Sequence, residues 1–249
     1  MNESKPLITV VTVTYNAGKV IGKTLKSLKN QLFEDYEFLV IDGASKDDTV
    51  ARIQAAEIPQ LKLVSEPDKG LYDAMNKGLR LAKGRYVIFL NAGDAFHSAE
   101  TLGKYALEAA KRRDIIYGDT IIVNGEGEKI ADRHLKAPVR LTRESFADGM
   151  LICHQAFMVK KDLAPQYDLR YRFSADYDWC VKCIEKGDPK EYVNLGEVTV
   201  NYLSDGLTDK NKSRSLRERY RIMNRHYGYI STFLRHLTFI VRAIKRRKI

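Results

Sequence analysis

The first hundred residues switch repeatedly between two hydrophobic periods. Residues 7–15, LITVVTVTY, form an unbroken β-branched and apolar run, which predicts a strand buried on both faces. Residues 16–31 then change to a helical period, with Val20, Ile21, Leu25 and Leu28 on one face. The alternation continues with a strand over 37–41 ending in Asp42-Gly43, a helix over 50–57 and a strand over 61–67. A helix over 69–84 and a fourth strand, RYVIFL, at 85–90 follow. Strands alternating with helices predict right-handed crossovers and a mostly parallel α/β sheet.

Beyond Asp94 the pattern loosens. Residues 114–130 predict a short strand and a hairpin turning at 124–127; residues 136–163 mix loop and strand. SADYDWCVKCIEKG, 174–187, predicts an amphipathic helix that Ser174 would cap, and 190–203 is strand-like. The domain is expected to span 1–205, with a helical tail over 206–249.

In parallel sheets, ligands bind where the strands end. Here those ends carry Tyr15-Asn16, Asp42-Gly43, 66–68 and 91–94, so three of the four predicted strands finish on an acidic group. No G-x-x-x-x-G-K-[ST] is present, and NGEGEK follows a hairpin strand without opening a helix. A nucleotide diphosphate on this sheet would therefore need another counter-charge, and a divalent metal with carboxylate ligands is the usual one.

Charge changes the picture at one end. The net charge is +10, yet residues 1–209 sum to −2, and residues 210–249 carry 13 Lys or Arg against a single acid, Glu218. In this tail Ile230, Phe233, Leu234, Leu237, Ile240, Val241 and Ile244 recur at helical spacing; Arg235, His236, Arg242 and the KRRK run at 245–248 flank them. Such a stripe fits a helix lying on an anionic membrane surface, or one docked on the domain. Without a recognised module the charge gives nucleic acid no support. Three cysteines, Cys153, Cys180 and Cys183, offer no disulfide framework; CVKC on a helix reads as buried thiols. No leader or 18-residue apolar run is visible, so the expected location is cytoplasmic, peripheral at the inner face of the membrane.

Four stretches, ITVVTVTYNAGKVIGKTLKSL, IDGASKDDT, SEPDKGLYDAMNKGLRLAKGRYVIFLNAGD and RFSADYDWCVK, resemble the family 2 glycosyltransferases of the GT-A fold, in order. The third looks most like the subgroup that builds bacterial cell-surface polysaccharides. The resemblance implies a nucleotide-sugar-binding part over about 1–100 and an acceptor-binding part over about 101–205. Thr14, Tyr15 and Asn16 would line the nucleobase pocket, Asp42 would accept a base N–H, and Lys69-Gly70 would lie by the nucleotide. Asp94 would be the last acid of the D-x-D motif and bind Mg²⁺ or Mn²⁺. Ala92 and Gly93 stand where relatives are often acidic, and Asn91 or water would substitute.

Asp176 would be the general base that deprotonates the acceptor hydroxyl, with Ala175 replacing the Glu of an acidic dipeptide, and Asp178 is the second candidate. His154, in GMLICHQAF, could meet the metal or diphosphate, line the acceptor site, or sit in the core. Turn capping remains the structural alternative for Asp42 and Asp94, and fastening a helix to a loop is that for Asn76. The implied activity is an inverting, metal-dependent hexosyl- or N-acetylhexosaminyl-transfer from a nucleotide-diphospho-sugar to a glycan or lipid-linked acceptor. A nucleotidyltransferase and a non-catalytic sugar-nucleotide-binding partner at the membrane are the alternatives.

Overall fold

The computed structural model describes residues 5–204 and 212–246. Among the described residues nine strands form one sheet: β3 (Leu61–Ser65), β2 (Tyr36–Asp42), β1 (Ile8–Thr14), β4 (Tyr86–Phe89), β8 (Phe157–Lys160), β6 (Ile115–Val123), β9 (Tyr192–Leu203) and β5 (Ala95–Phe96) lie side by side in that order, with β7 (Lys129–Asp132) paired to β6. Strands β1 (Ile8–Thr14), β2 (Tyr36–Asp42), β3 (Leu61–Ser65) and β4 (Tyr86–Phe89) are mutually parallel. Between them run α1 (Ile21–Lys29), α2 (Thr49–Gln54) and α3 (Leu71–Leu81). Every residue of β1 and β2 is buried, as their continuous apolar runs require.

Alternation along β1 separates two cores. Val11 and Val13 face α3 and pack with Met75, Leu79, Phe89 and Trp179; Ile8 and Val10 face α1 with Ile21, Leu25, Phe38 and Tyr105. Gly78 lets α3 lie close to the sheet, since a Cβ there would stand 2.5 Å from Val11 Cγ1.

The second half builds the other edge. After β5 (Ala95–Phe96) and α4 (Thr101–Ala110), β6 (Ile115–Val123) forms the expected hairpin with β7 (Lys129–Asp132). Strand β8 (Phe157–Lys160) runs antiparallel to both β4 and β6, and β9 (Tyr192–Leu203) runs parallel to β6. Helix α5 (Ala175–Lys186) covers the face shared with α3, burying Trp179 against Tyr167, their ring centres 5.1 Å apart.

The C-terminal segment divides in two. Helix α6 (Lys212–Tyr227), the first described helix of the C-terminal segment, buries Ile222 and Met223 in the main core. Gly228 breaks the helix at a positive φ of 80°, and α7 (Tyr229–Arg246) follows. Among the described residues no helix is long and apolar enough to cross a membrane.

Candidate active site

The parallel register aligns the first three strand ends. Thr14 pairs with Asp42, and Asp42 with Ser65, so the three residues form one row at the carboxyl edge. The loop after β1 is stitched to the loop after β2: the Asn16 N–H donates to Ser45 Oγ (2.8 Å) and the Lys46 N–H to Asn16 Oδ1 (2.9 Å). Asn16 takes a left-handed φ of 48°, which Asn tolerates. This leaves Tyr15 61% exposed at the carboxyl edge of the sheet, and the buried Thr14 Oγ1 has no partner among the described residues.

Asp42 is fully buried. Its carboxylate accepts from the Ser45 N–H (2.9 Å), Ser45 Oγ (2.5 Å) and Ser65 Oγ (2.6 Å), the turn-capping arrangement. The third loop closes on the second, because a Cβ on Gly43 would come within 2.5 Å of the Asp68 carboxylate. That carboxylate accepts the Gly70 N–H (2.7 Å) and Asp73 accepts the Lys69 N–H (2.9 Å). Gly70, at φ 116°, meets nothing where a Cβ would stand, so backbone at the start of α3 is open to approach. Asn76 fastens α3 to the loop before α5, donating to Tyr167 O (3.0 Å) and accepting its N–H (2.7 Å).

At the fourth strand end, Asp94 is 4% exposed and holds the sheet's far edge: Oδ1 accepts the Leu203 N–H (2.9 Å) and Oδ2 the Gln155 side-chain N–H (2.8 Å). Burial pushes its carboxyl up to about 6, although these two donors and the nearby His154 pull the other way. The buried Asn91 Oδ1 has no partner among the described residues. Among the described residues no group of three or more His, Cys, Asp or Glu side chains forms a ready metal cage.

His154 joins the two halves of the site. Its Nε2 lies 3.3 Å from Asn91 Nδ2, and its Nδ1 3.5 Å from Asp176 Oδ2. Tyr72 donates to Asp176 Oδ1 (3.1 Å). Burial favours the neutral Asp176 carboxyl, but the hydrogen bond and charge of His154 and the charge of Arg219 outweigh it and hold the carboxyl below its ordinary value.

Asp178 does not join this group. Two residues along a helix is about half a turn, so its carboxylate points away and pairs with Lys182 (2.5 Å) and with His226 of α6 (2.9 Å). Nor does Ser174 cap α5, because its hydroxyl lies 2.8 Å from Ser215 Oγ. The backbone N–H groups of Arg172, Phe173 and Ser174 donate instead to the Glu218 carboxylate at 2.9, 2.8 and 3.0 Å. Tyr72, Gln155 and Glu218 were not singled out from the sequence; a lone acid in a strongly basic segment was the available signal for the last. Cys180 and Cys183 are fully buried thiols, as expected.

The site thus offers three stitched loops at the ends of β1, β2 and β3, an unpaired amide oxygen and a buried carboxylate at the end of β4, and a carboxylate held below its ordinary value and oriented by Tyr72 and His154. Comparison with known proteins identifies the family. The sequence model described as "Glycosyl transferase family 2" matches residues 9–167. A "PGL/p-HBAD biosynthesis glycosyltransferase" of Mycobacterium bovis is 32% identical over 186 residues, covering 72% of this chain and 70% of that protein. The structure of S. aureus TarS 1–349 in complex with UDP-GlcNAc superposes with a TM-score of 0.73 at 19% identity, over 88% of this chain and 65% of that one. The Pyrobaculum calidifontis mannosyltransferase PcManGT in complex with GDP-Man and Mn²⁺ gives a TM-score of 0.64 at 18% identity, over 90% and 64%. The chain belongs to glycosyl transferase family 2 and is a glycosyltransferase of the GT-A fold.

Proposed function

We propose that this glycosyltransferase transfers a hexosyl or N-acetylhexosaminyl group, with inversion, from a nucleotide-diphospho-sugar to a hydroxyl of a glycan or lipid-linked acceptor in cell-surface polysaccharide synthesis. The observation that carries the reading is the Asp176 carboxylate, kept ionised and aimed by Tyr72 and His154. An ionised, oriented carboxylate is what deprotonation of an attacking hydroxyl requires. On the donor side, Tyr15 would pack by the nucleobase with Thr14 and Asn16, and Asp42 would exchange a serine hydroxyl for a base N–H. Lys69 and the open backbone at Gly70 would lie by the nucleotide.

The residues fit a divalent cation, Mg²⁺ or Mn²⁺. Asp94 is a carboxyl that burial pushes up to about 6, and Asn91 Oδ1 is a hard oxygen donor without a partner among the described residues. When bound there, such a cation would neutralise charge on the leaving diphosphate. With few protein ligands at hand, the remaining coordination would come from the diphosphate and water. The neighbours bound to UDP-GlcNAc, or to GDP-Man with Mn²⁺, support a donor and a cation of this kind.

The acceptor side is read as a membrane surface. On α7, Ile230, Phe233, Leu234 and Leu237 are 45–79% exposed, while Thr232 is buried and Arg235 pairs with Asp148 (2.9 Å) and Glu144 (3.2 Å). The helix therefore docks through Thr232, Arg235 and the partly buried Phe239 and presents Ile230, Phe233, Leu234 and Leu237 outward, which favours an interfacial helix over one that hides its stripe. The side chains of Ile240, Val241, Arg242 and Ile244, and the 245–248 cluster, lie outside the described side chains. Calorimetry with UDP-, GDP-, CMP- and dTDP-sugars, with Mn²⁺ and then with chelator, tests the donor reading. Metal-dependent binding of one nucleotide class, lost in Asp94→Ala, is expected; no binding by folded protein would overturn it.

A further inference from the structure

We propose that Arg219, on α6, is a phosphate-binding residue of the active centre, set there by the adjacent Glu218. The inference rests on the reading of Asp176 as the centre of the reaction. Ser215, Glu218, Arg219, Ile222 and His226 share one face of α6 by their three- and four-residue spacing. Four of the five are tied down. Ser215 meets Ser174 (2.8 Å), Glu218 accepts the three backbone N–H groups of 172–174, Ile222 is fully buried, and His226 meets Asp178 (2.9 Å). This face is therefore fixed against the first turn of α5, the turn that carries Asp176.

Arg219 sits in the middle of that face with different chemistry. Its Nε–H is buried and has no acceptor, and no ion pair joins its guanidinium to a carboxylate among the described residues. The bonds that fix this face set Arg219 over the first turn of α5, and its charge helps to hold the Asp176 carboxyl down. A buried guanidinium N–H without a partner is costly to maintain, and its planar fork matches the oxygens of a phosphate. The site's other fixed side chains close by, Tyr72, His154 and Asp176, already satisfy one another. The missing acceptor is thus a phosphate oxygen of a substrate, from either the donor's diphosphate or a phosphate-bearing acceptor.

The test measures affinities of UDP, GDP, CDP and dTDP against their nucleosides, and of farnesyl diphosphate as a lipid-diphosphate probe. Wild type, Arg219→Gln and Arg219→Lys are compared, with thermal unfolding monitored for each. Loss of a charged hydrogen bond predicts a roughly 10- to 100-fold weaker Kd in Arg219→Gln, with Arg219→Lys intermediate and nucleoside binding unchanged. A loss confined to the nucleotide diphosphate assigns the donor's phosphates; one confined to farnesyl diphosphate assigns the acceptor's. Unchanged affinity for both in folded Arg219→Gln, or in Arg219→Lys should the Gln variant not fold, overturns the proposal. Asp176→Asn serves as the control: full transfer by that variant would sink the reading of the centre, whatever Arg219 does.

Discussion

The imidazole Nδ1 of His154 lies 3.5 Å from Asp176 Oδ2, and the same ring reaches Asn91 through Nε2. One side chain thus links the end of β4, where a diphosphate and cation would sit, to the carboxylate at the start of α5. Residues 91, 154 and 176 are far apart along the chain, and the crossing of β8 beside β4 brings them together.

Asp176→Asn keeps the shape and removes the base. Transfer is expected to fall by about 10²–10⁴-fold while the donor Kd stays within a few-fold of wild type. Kinetics paired with calorimetry check this, and near-normal turnover would remove Asp176 from the role.

His154→Ala withdraws the hydrogen bond and charge that hold the Asp176 carboxyl below its ordinary value. The carboxyl then rises, so the acid limb of the kcat/KM profile should move to higher pH. A profile that drops in height without moving would mean that His154 does not tune Asp176.

Asp94 gives a stability signature with the opposite sign. A carboxyl whose folded value, about 6, exceeds its ordinary 3.8 supports the fold fully only below about 4, and that support disappears as pH rises through 6. The displacement corresponds to roughly 3 kcal/mol. Asp94→Asn should therefore gain stability relative to wild type between pH 4 and 7 in urea titrations. Mn²⁺ should raise the Tm of wild type alone at pH 7.5. A pH-independent difference between the two proteins would contradict the assignment.

Phe233 and Leu234 are each 56% exposed, so Phe233→Glu and Leu234→Glu should leave Tm nearly unchanged. Co-sedimentation with vesicles rich in phosphatidylserine should nonetheless be lost. Wild-type protein that ignores anionic vesicles would refute an interfacial role for α7.

Asn76→Ala strands both the N–H and the C=O of Tyr167 in the core. Two unsatisfied buried groups predict a loss on the order of 2–4 kcal/mol in chemical unfolding. A smaller loss would mean that the loop relaxes to recover its bonds.

By itself the sequence determined the parallel half of the sheet, because buried β-branched runs alternating with helical periods have few other solutions, and the strand ends followed with them. Asn76 as a fastener and the buried Cys180 and Cys183 were also legible, since each depends on its own helix face. The tertiary structure alone decided the rest. Asp176 and Asp178 are equivalent as letters; only the half-turn between them, with α6 on one side and His154 on the other, makes one a site residue and the other an ion pair. For Asp94 the sequence offers a metal ligand or a turn residue; only the fold places the Leu203 N–H of β9 and the Gln155 side chain, from the turn before β8, on its oxygens. Within the helical tail expected over 206–249, only the fold shows that Ile222 and Met223 bury α6 in the core while Arg235 anchors α7 with Ile230, Phe233, Leu234 and Leu237 outward. Periodicity records which face of a helix is apolar; what covers that face depends on contacts between residues distant in sequence, and those exist only in the folded chain.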